Sequence, residues 1–317
     1  MHSDHILRVV TYHYVRDVAR TPFPNLRVML PEDFRHQLNE LATQFEMASI
    51  ESAMDFLTGE YRPRRDLCLL TFDDGLKEHF RDITPVLAEK RIRGVFFLIT
   101  SCVEERKLAP VHMNHFLMAK MAFEDYADAF FKKAVALSPE AFTPLNVDPA
   151  RASITYPWDT PEVARFKYLF NFGMDPEVRD RAVQELFTTN LGDESAFADS
   201  LYVTWEEARR MQKAGMTIGG HTHLHKPLAN LSPRELTFDL ETCSRLLHQN
   251  LNPQAVWAFS YPYGKKDSFH IRAVRKLQQL GFRCAFCTEV SDNRRGSDRF
   301  TIGRTDCTKA LAVSAGV

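Results

Sequence analysis

Short runs of apolar and β-branched residues alternate along the chain with longer segments in which apolar residues recur every three or four positions. The short runs predict β-strands, and the longer segments predict amphipathic helices. The predicted strands cover residues 7–14, 67–72, 94–100, 217–221, 255–261 and 284–290. Strands that alternate with helices are typical of a parallel β/α architecture, and an α/β barrel accommodates 317 residues as one domain.

Three of the predicted helices have recognisable ends. Residues 31–45 begin with a proline and an acidic first turn, which favours a helix N-terminus. Residues 232–250 open with Ser232 and carry Glu235 three positions later, the pattern of a capping box. Residues 268–282 reach Gly281, a residue that commonly ends a helix.

The segment from about residue 102 to residue 200 is helical and rich in aromatic residues, and it lacks the rhythm of strands. We interpret it as a helical insertion within a single domain that covers residues 1–317. Its aromatic residues, among them Phe116, Phe130 and Phe131, indicate core packing and not a ligand site.

Composition excludes some classes of protein. The 40 basic and 41 acidic residues nearly balance, which argues against a nucleic-acid-binding protein held by a broad positive field. No segment approaches the roughly 18 uninterrupted apolar residues of a membrane span. The N-terminus lacks a basic region followed by a long apolar run, so it does not resemble a signal peptide. We therefore expect a cytoplasmic protein without a membrane span.

Two adjacent carboxylates, Asp73 and Asp74, follow the apolar run of residues 67–72 and precede Gly75. Such a pair is common in ordinary turns. At the carboxyl end of a barrel strand, however, it lies where active sites form. Because neighbouring side chains on a strand point in different directions, one carboxylate could bind a metal while the other faces the substrate or its attacking water.

A second cluster, G-G-H-T-H-L-H, contains His221, His223 and His225. His221 and His225 are four residues apart, so one helical turn or a tight loop can direct both imidazoles at one point. Two histidines and one carboxylate form an open metal site that leaves a position for water. His223 has the wrong phase, and we interpret it as a loop or supporting residue.

A third segment, F-S-Y-P-Y-G, places Tyr263 after an apolar run. It could be only a strand followed by a proline turn. At the end of a barrel strand it could also shape a pocket and offer a backbone N–H to a developing oxyanion.

The three segments, in this order, resemble the motifs of the polysaccharide deacetylase family, the NodB-homology domain of carbohydrate esterase family 4. The matches are T-F-D-D-G at 71–75, H-T-H-L-H at 221–225 and P-Y-G at 262–264. The resemblance implies a distorted (β/α) barrel and metal-dependent removal of acyl groups, usually N-acetyl, from sugars. It implies that Asp74, His221 and His225 bind the metal, that Asp73 is the general base, and that the backbone N–H of Tyr263 helps to hold the oxyanion.

Two departures from the family pattern affect the expected site. The third motif usually carries an arginine that orients the base, but this chain has Ser260 there, and Arg304 is the candidate substitute. The usual last motif, with its general-acid histidine, is missing. The N-terminal T-Y-H-Y resembles permuted members of the family in which a Tyr-His segment fills that role, so His13 is the candidate general acid. The competing interpretation makes His13 a histidine on a buried strand.

The expected partner is an acetylated sugar, from a polysaccharide, an oligosaccharide or a glycan precursor. The expected metal is Zn²⁺, although Co²⁺, Ni²⁺ and Fe²⁺ can bind the same ligands. Two alternatives stay open: a hydrolase of O-acetyl groups or of a non-sugar amide, and a catalytically inactive glycan-binding protein.

Overall fold

Parallel strands form one continuous sheet in the computed structural model, which describes residues 5–139 and 148–311. Within those residues the sheet has nine strands, in the order β8-β7-β6-β5-β4-β3-β1-β9, and β2 pairs with the start of β3. The strands are β1 (Leu7–Tyr12), β2 (Glu46–Met47), β3 (Leu67–Phe72), β4 (Gly94–Leu98), β5 (Thr217–Gly220), β6 (Ala258–Ser260), β7 (Cys284–Cys287), β8 (Ile302–Gly303) and β9 (Thr305–Asp306).

The two ends of this sheet are consecutive in sequence. β8 pairs with β7 at one end and β9 pairs with β1 at the other, and only Arg304 separates β8 from β9. Asn293 also links the two ends, because its Nδ2 donates to the carbonyls of Leu7 and Gly303, at 2.9 Å each. The sheet is therefore a nearly closed barrel, and the expected distorted (β/α) barrel is confirmed.

The chain divides into two compact units. Among the described residues, the first unit comprises 5–17, 28–106 and 199–311 and contains the barrel. Its helices are α1 (Pro31–Gln44), α2 (Ile50–Thr58), α3 (Thr84–Glu89), α4 (Thr100–Glu104), α11 (Trp205–Lys213), α12 (Pro233–Asn250) and α13 (Ile271–Gln279).

The second unit comprises residues 18–27, 107–139 and 148–198 of the described chain. Its helices are α5 (Pro110–Lys120), α6 (Phe123–Leu137), α7 (Pro149–Thr155), α8 (Pro161–Tyr168), α9 (Pro176–Leu191) and α10 (Glu194–Leu201), the last of which runs on into the first unit. Among these described residues there is no strand, as the sequence predicted for this segment. Aromatic rings fill its interior: the Phe130 ring lies 5.5 Å from that of Phe166 and 5.4 Å from that of Phe170.

The alternation of side chains along the strands separates two sets of core residues. Leu70, Phe72 and Phe96 belong to the set that packs against α1, α3 and α11–α13 outside the barrel. Leu69 and Phe97 belong to the other set, on the inner face of the strands. Because both faces are buried, the strands are almost continuously apolar in sequence.

The main strands lie where the sequence predicts them, but several ends differ. β1 ends at Tyr12 and not at residue 14, and β7 ends at Cys287 and not at residue 290. Helix α13 spans Ile271–Gln279, which is shorter than the predicted 268–282. In each case the residues outside the element belong to the loops at its ends. The Ser232–Glu235 capping box of α12 is confirmed.

Among the described residues, none of the helices combines the length and the apolarity that crossing a membrane requires.

Gly219 on β5 has no room for a side chain. A Cβ there would lie 2.5 Å from the carbonyl oxygen of Ala258 and 2.7 Å from the Phe97 ring. We expect Gly219→Ala to lower the free energy of unfolding by about 3 kcal/mol, because the backbone must move. Gly215→Ala is the control: that glycine has φ +89° but open space, so left-handed strain of about 1 kcal/mol is the whole cost. Denaturant unfolding of both variants checks the order, and an equal cost would contradict the packing argument.

Candidate active site

Polar side chains interrupt the apolar inner face at the carboxyl ends of the barrel strands. Asp73 follows β3, His221 follows β5, Ser260 ends β6, and Arg304 lies between β8 and β9. Asp73 continues the inward-facing series of residues 67, 69 and 71. The carboxyl ends of the strands are where barrel enzymes place their chemistry.

Three side chains bring potential metal ligands together. The Oδ1 atom of Asp74 lies 3.5 Å from Nε2 of His221 and 3.6 Å from Nε2 of His225, and the two Nε2 atoms are 3.2 Å apart. Ligand atoms placed at about 2.0–2.1 Å around a tetrahedral zinc ion lie about 3.3 Å from one another. The donor atoms, their spacing and their burial therefore fit a divalent cation.

The orientation of His221 also suits a ligand. Its Nδ1 donates a hydrogen bond to the carbonyl oxygen of Ser260, at 2.7 Å, which leaves the lone pair of Nε2 directed at the donor set. Burial lowers the pKa of His221 and outweighs the nearby carboxylates, so the imidazole is neutral, as metal binding requires.

Backbone strain is concentrated at these loops. Asp74, Thr222, His225 and Tyr263 all have positive φ, at 76°, 66°, 54° and 63°. Non-glycine residues adopt this conformation rarely, and such strain clusters at functional sites. At Asp74 it turns the chain out of β3, so the two carboxylates of the pair point in different directions.

The loop between the two candidate histidine ligands is held by α12. Both carboxylate oxygens of Asp239 accept backbone N–H bonds, one from His223 and one from Leu224, at 2.9 Å each. Burial raises the pKa of Asp239 to about 6, although these two N–H groups lower it, so the group is ionised at neutral pH. Sequence reasoning missed Asp239. The sequence feature that could have identified it is the presence of an acidic residue on the apolar face of α12, between Leu236 and Leu240.

His223 lies outside the ligand set, as its phase predicted. Its Nδ1 is 3.1 Å from Oγ1 of Thr100, and its Nε2 is 3.2 Å from Oε1 of Glu105. The ring is buried, and these two contacts hold it against residues 100–105.

Asp73 and Arg304 form a buried ion pair. Nη1 and Nη2 of Arg304 donate to the two carboxylate oxygens of Asp73 at 2.8 and 2.7 Å, and both side chains are almost fully buried. Burial by itself would raise the pKa of Asp73, but the charge and hydrogen bonds of Arg304, together with the neighbouring imidazoles of His221 and His13, outweigh burial and lower that pKa to about 2. Ser260, which occupies the position of the usual arginine, donates to the same carboxylate at 3.2 Å.

His13 lies beside this ion pair, beyond the end of β1. Its Nε2 is 3.9 Å from Oδ2 of Asp73, and its side chain is 45% exposed. The interpretation of His13 as a histidine on a buried strand is therefore wrong.

Tyr263 lies beside the ligand set, with its ring centroid 5.3 Å from that of His225. Its carbonyl accepts a hydrogen bond from Oγ1 of Thr288 at 3.0 Å, which fixes the peptide that follows it. The role of its own N–H stays a prediction.

These groups form a recognisable chemical arrangement: a donor set that fits a cation, beside an ionised carboxylate and an accessible imidazole. Residues 60–129 and 180–285 match the polysaccharide deacetylase family, and together they make up more than half of the chain. The chain belongs to the polysaccharide deacetylase family. The matched ranges include all three motifs of the candidate site, and membership supports a carbohydrate deacetylase, which is a hydrolase.

Solved structures of deacetylases share the fold of this polysaccharide deacetylase. IcaB from Ammonifex degensii is 20% identical, with a TM-score of 0.58 over 96% of this chain and 94% of that one. The Streptococcus pyogenes deacetylase PplD is 14% identical, with a TM-score of 0.60 over 96% and 93%. The BpsB deacetylase domain from Bordetella bronchiseptica is 15% identical, with a TM-score of 0.55 over 96% of each chain. No curated protein sequence matches the chain.

Asp239→Asn tests the support of the ligand loop. The amide replaces one acceptor oxygen with a donor that faces a backbone N–H, so we expect about tenfold to hundredfold weaker metal binding. Competition with a chromogenic chelator measures the affinity. Glu241→Gln is the matched control, because it removes a carboxylate that is 53% exposed from the same helix. Equal affinities for the two variants would rule out this role of Asp239.

Arg304→Met tests the buried ion pair in metal-free protein. Leaving Asp73 buried without its partner should lower the free energy of unfolding by about 3–5 kcal/mol at neutral pH. Adding Asp73→Asn should recover part of that loss, because the neutral amide needs no counter-charge.

Since the folded-state pKa of Asp73 lies below its usual value, the stability from the pair is complete above about pH 4 and is lost as the pH falls towards 2. Denaturant unfolding as a function of pH measures both effects; additive losses in the double variant would contradict the coupling.

Proposed function

We propose that the protein is a metal-dependent hydrolase that removes N-acetyl groups from a carbohydrate. The observation that carries this proposal is the position of Asp73. Its carboxylate is held ionised by Arg304, next to the Asp74–His221–His225 donor set and within 3.9 Å of the accessible imidazole of His13. A protein that only binds glycans has no need of a free base in that position.

In this reaction Asp73 orients the attacking water and accepts a proton from it. Hydrogen bonds from Arg304 and Ser260 fix the direction of the Asp73 carboxylate. The water oxygen forms a bond to the acetyl carbon, and the carbonyl oxygen becomes an oxyanion. The backbone N–H of Tyr263 is the proposed donor to that oxygen.

His13 then supplies the proton that the leaving group needs. Breaking the C–N bond of an amide releases a poor leaving group unless its nitrogen is protonated. An exposed imidazole beside Asp73 can give that proton to the sugar nitrogen. The products are acetate and the free amine of the sugar. Asp73 releases the proton that it took from water, and the exposed imidazole of His13 takes up a proton from solvent, so both groups return to their starting states.

The cation would be held by Asp74, His221 and His225. When bound, it supplies positive charge that polarises the acetyl carbonyl and acidifies water. Zinc is our proposal, because two imidazoles, one carboxylate and tetrahedral spacing suit it; cobalt, nickel and iron share these ligands.

Acetate release from a panel of N-acetylated and O-acetylated sugars, measured together with bound metal, tests the proposal. We expect Asp73→Asn and His13→Ala each to lower turnover of an N-acetylated sugar about a hundredfold or more while the metal is retained. His221→Ala should lose the metal as well as the activity. His36→Ala, which removes an exposed histidine from α1, is the matched control and should behave like the wild type.

The remaining outcomes separate the alternatives. Turnover of O-acetylated sugars alone would make the protein an O-deacetylase. Stoichiometric metal without turnover of any acetylated sugar would contradict the carbohydrate substrate, and would leave the hydrolase of a non-sugar amide and the inactive glycan-binding protein as the alternatives. Absence of metal after reconstitution would contradict the ligand set.

A further inference from the structure

Glu78 and His79 are two consecutive buried residues that the proposed mechanism does not use. They follow the Asp73–Asp74 turn and reach back to the loop that carries His13. Glu78 accepts two hydrogen bonds from Arg16, from Nε at 2.8 Å and from Nη2 at 2.7 Å. The Nε2 atom of His79 lies 2.9 Å from the carbonyl oxygen of His13. Both ends of the segment His13–Arg16 are therefore held by adjacent residues of one turn.

The hydrogen bond from His79 determines which nitrogen of its ring carries the proton. A carbonyl oxygen only accepts, so Nε2 of His79 must carry the proton. The ring is fully buried and packs edge-on against Phe72, with centroids 5.5 Å apart. Burial lowers the pKa of His79, in agreement with a neutral ring.

The turn that presents His79 is unusual. Residues His79–Ile83 form a π-helical turn, and Oγ1 of Thr84 donates to the carbonyl of His79 at 2.7 Å. Such turns occur often at functional sites and cost helix stability. The π-turn places an imidazole under the His13 loop.

The loop needs this support because its strand has already ended. The last bond of the β1–β3 ladder region runs from the N–H of Asp73 to the carbonyl of Tyr12, at 3.0 Å, and His13 follows directly. With nearly half of its side chain exposed, His13 has little packing of its own. The direction of its imidazole therefore depends on how its backbone is held.

We propose that Glu78 and His79 are positioning residues that hold the His13–Arg16 loop so that His13 can protonate the leaving nitrogen. This inference rests on the proposed function. It adds two residues that act through the backbone of the general acid.

The experiment compares two substrates that differ in their need for an acid. An N-acetylated sugar needs a proton on its leaving nitrogen, whereas 4-nitrophenyl acetate releases a phenolate that needs none. We expect His79→Leu to lower kcat on the sugar about tenfold or more. Hydrolysis of the ester and the metal content should stay within about twofold of the wild type, because Asp73 and the donor set are untouched.

Two further variants separate positioning from general damage. His79→Gln keeps an N–H donor at the same reach and should recover most of the lost turnover. In a His13→Ala background, His79→Leu should have no further effect, because there is no acid left to position. Glu78→Gln, which keeps one hydrogen bond to Arg16 and loses the charge, should give a smaller loss with the same selectivity for the sugar. Equal losses on both substrates, or additive losses with His13→Ala, would overturn the proposal.

Amide hydrogen exchange gives a readout that does not depend on turnover. The N–H of Arg16 donates to the carbonyl of Met29 at 3.0 Å, so its exchange reports the order of the loop. We expect exchange at Arg16 to accelerate about tenfold in His79→Leu and to stay near the wild-type rate in His79→Gln. Unchanged exchange in His79→Leu would refute the positioning role. If exchange changes as expected but wild-type protein releases no acetate, the proposed function fails and the structural link stands.

Discussion

The buried ion pair between Arg304 and Asp73 joins the closure of the barrel to the chemistry of the site. Arg304 is the residue between β8 and β9, the two strands at which the sheet meets itself, and its guanidinium reaches the carboxylate at the end of β3. Removing two charges from water costs several kcal/mol for each ion, and only excellent geometry offsets that cost. Two parallel hydrogen bonds and a third from Ser260 provide it. A slip in the register of β8 or β9 would therefore also misplace the proposed base.

The same arrangement explains how two adjacent carboxylates coexist. Asp73 continues the inward series of β3 and finds a cationic partner, while the left-handed backbone at Asp74 turns the second carboxylate towards two imidazoles. Each charge is directed at a different positive or metal-binding group. The repulsion that the sequence D-D implies is thus reduced by backbone conformation, and the strained residue is Asp74, the one that belongs to the donor set.

Much of the fold and of the candidate site could be predicted from local sequence, because strands, caps and motifs are local patterns. The runs 67–72 and 217–221 gave strands in the correct places, and the spacing of His221 and His225 brought both to one point. β2, β8 and β9 have two residues each, too few to show a period. Asn293 contacts Leu7, 286 residues away, and Asp239 on α12 contacts the loop 15 and 16 residues before it. Nothing in the sequence pattern around either residue identifies its partner. Arg304 could be suggested as a substitute arginine, but its pairing with Asp73 depends on how the barrel closes.

The low pKa of Asp73 has a chemical consequence for the proposed reaction. A carboxylate with a pKa of about 2 is always ionised at neutral pH, but it binds a proton weakly and is a poor base towards ordinary water. The neighbouring donor set offsets this weakness, because a bound cation acidifies water by many units and so reduces the proton affinity that the base must have. Arg304 can then orient the carboxylate of Asp73 even though its charge makes that carboxylate a weaker base. The ion pair and the donor set therefore depend on each other. The ion pair orients the base, and a cation in the donor set would reduce the basicity that this base needs.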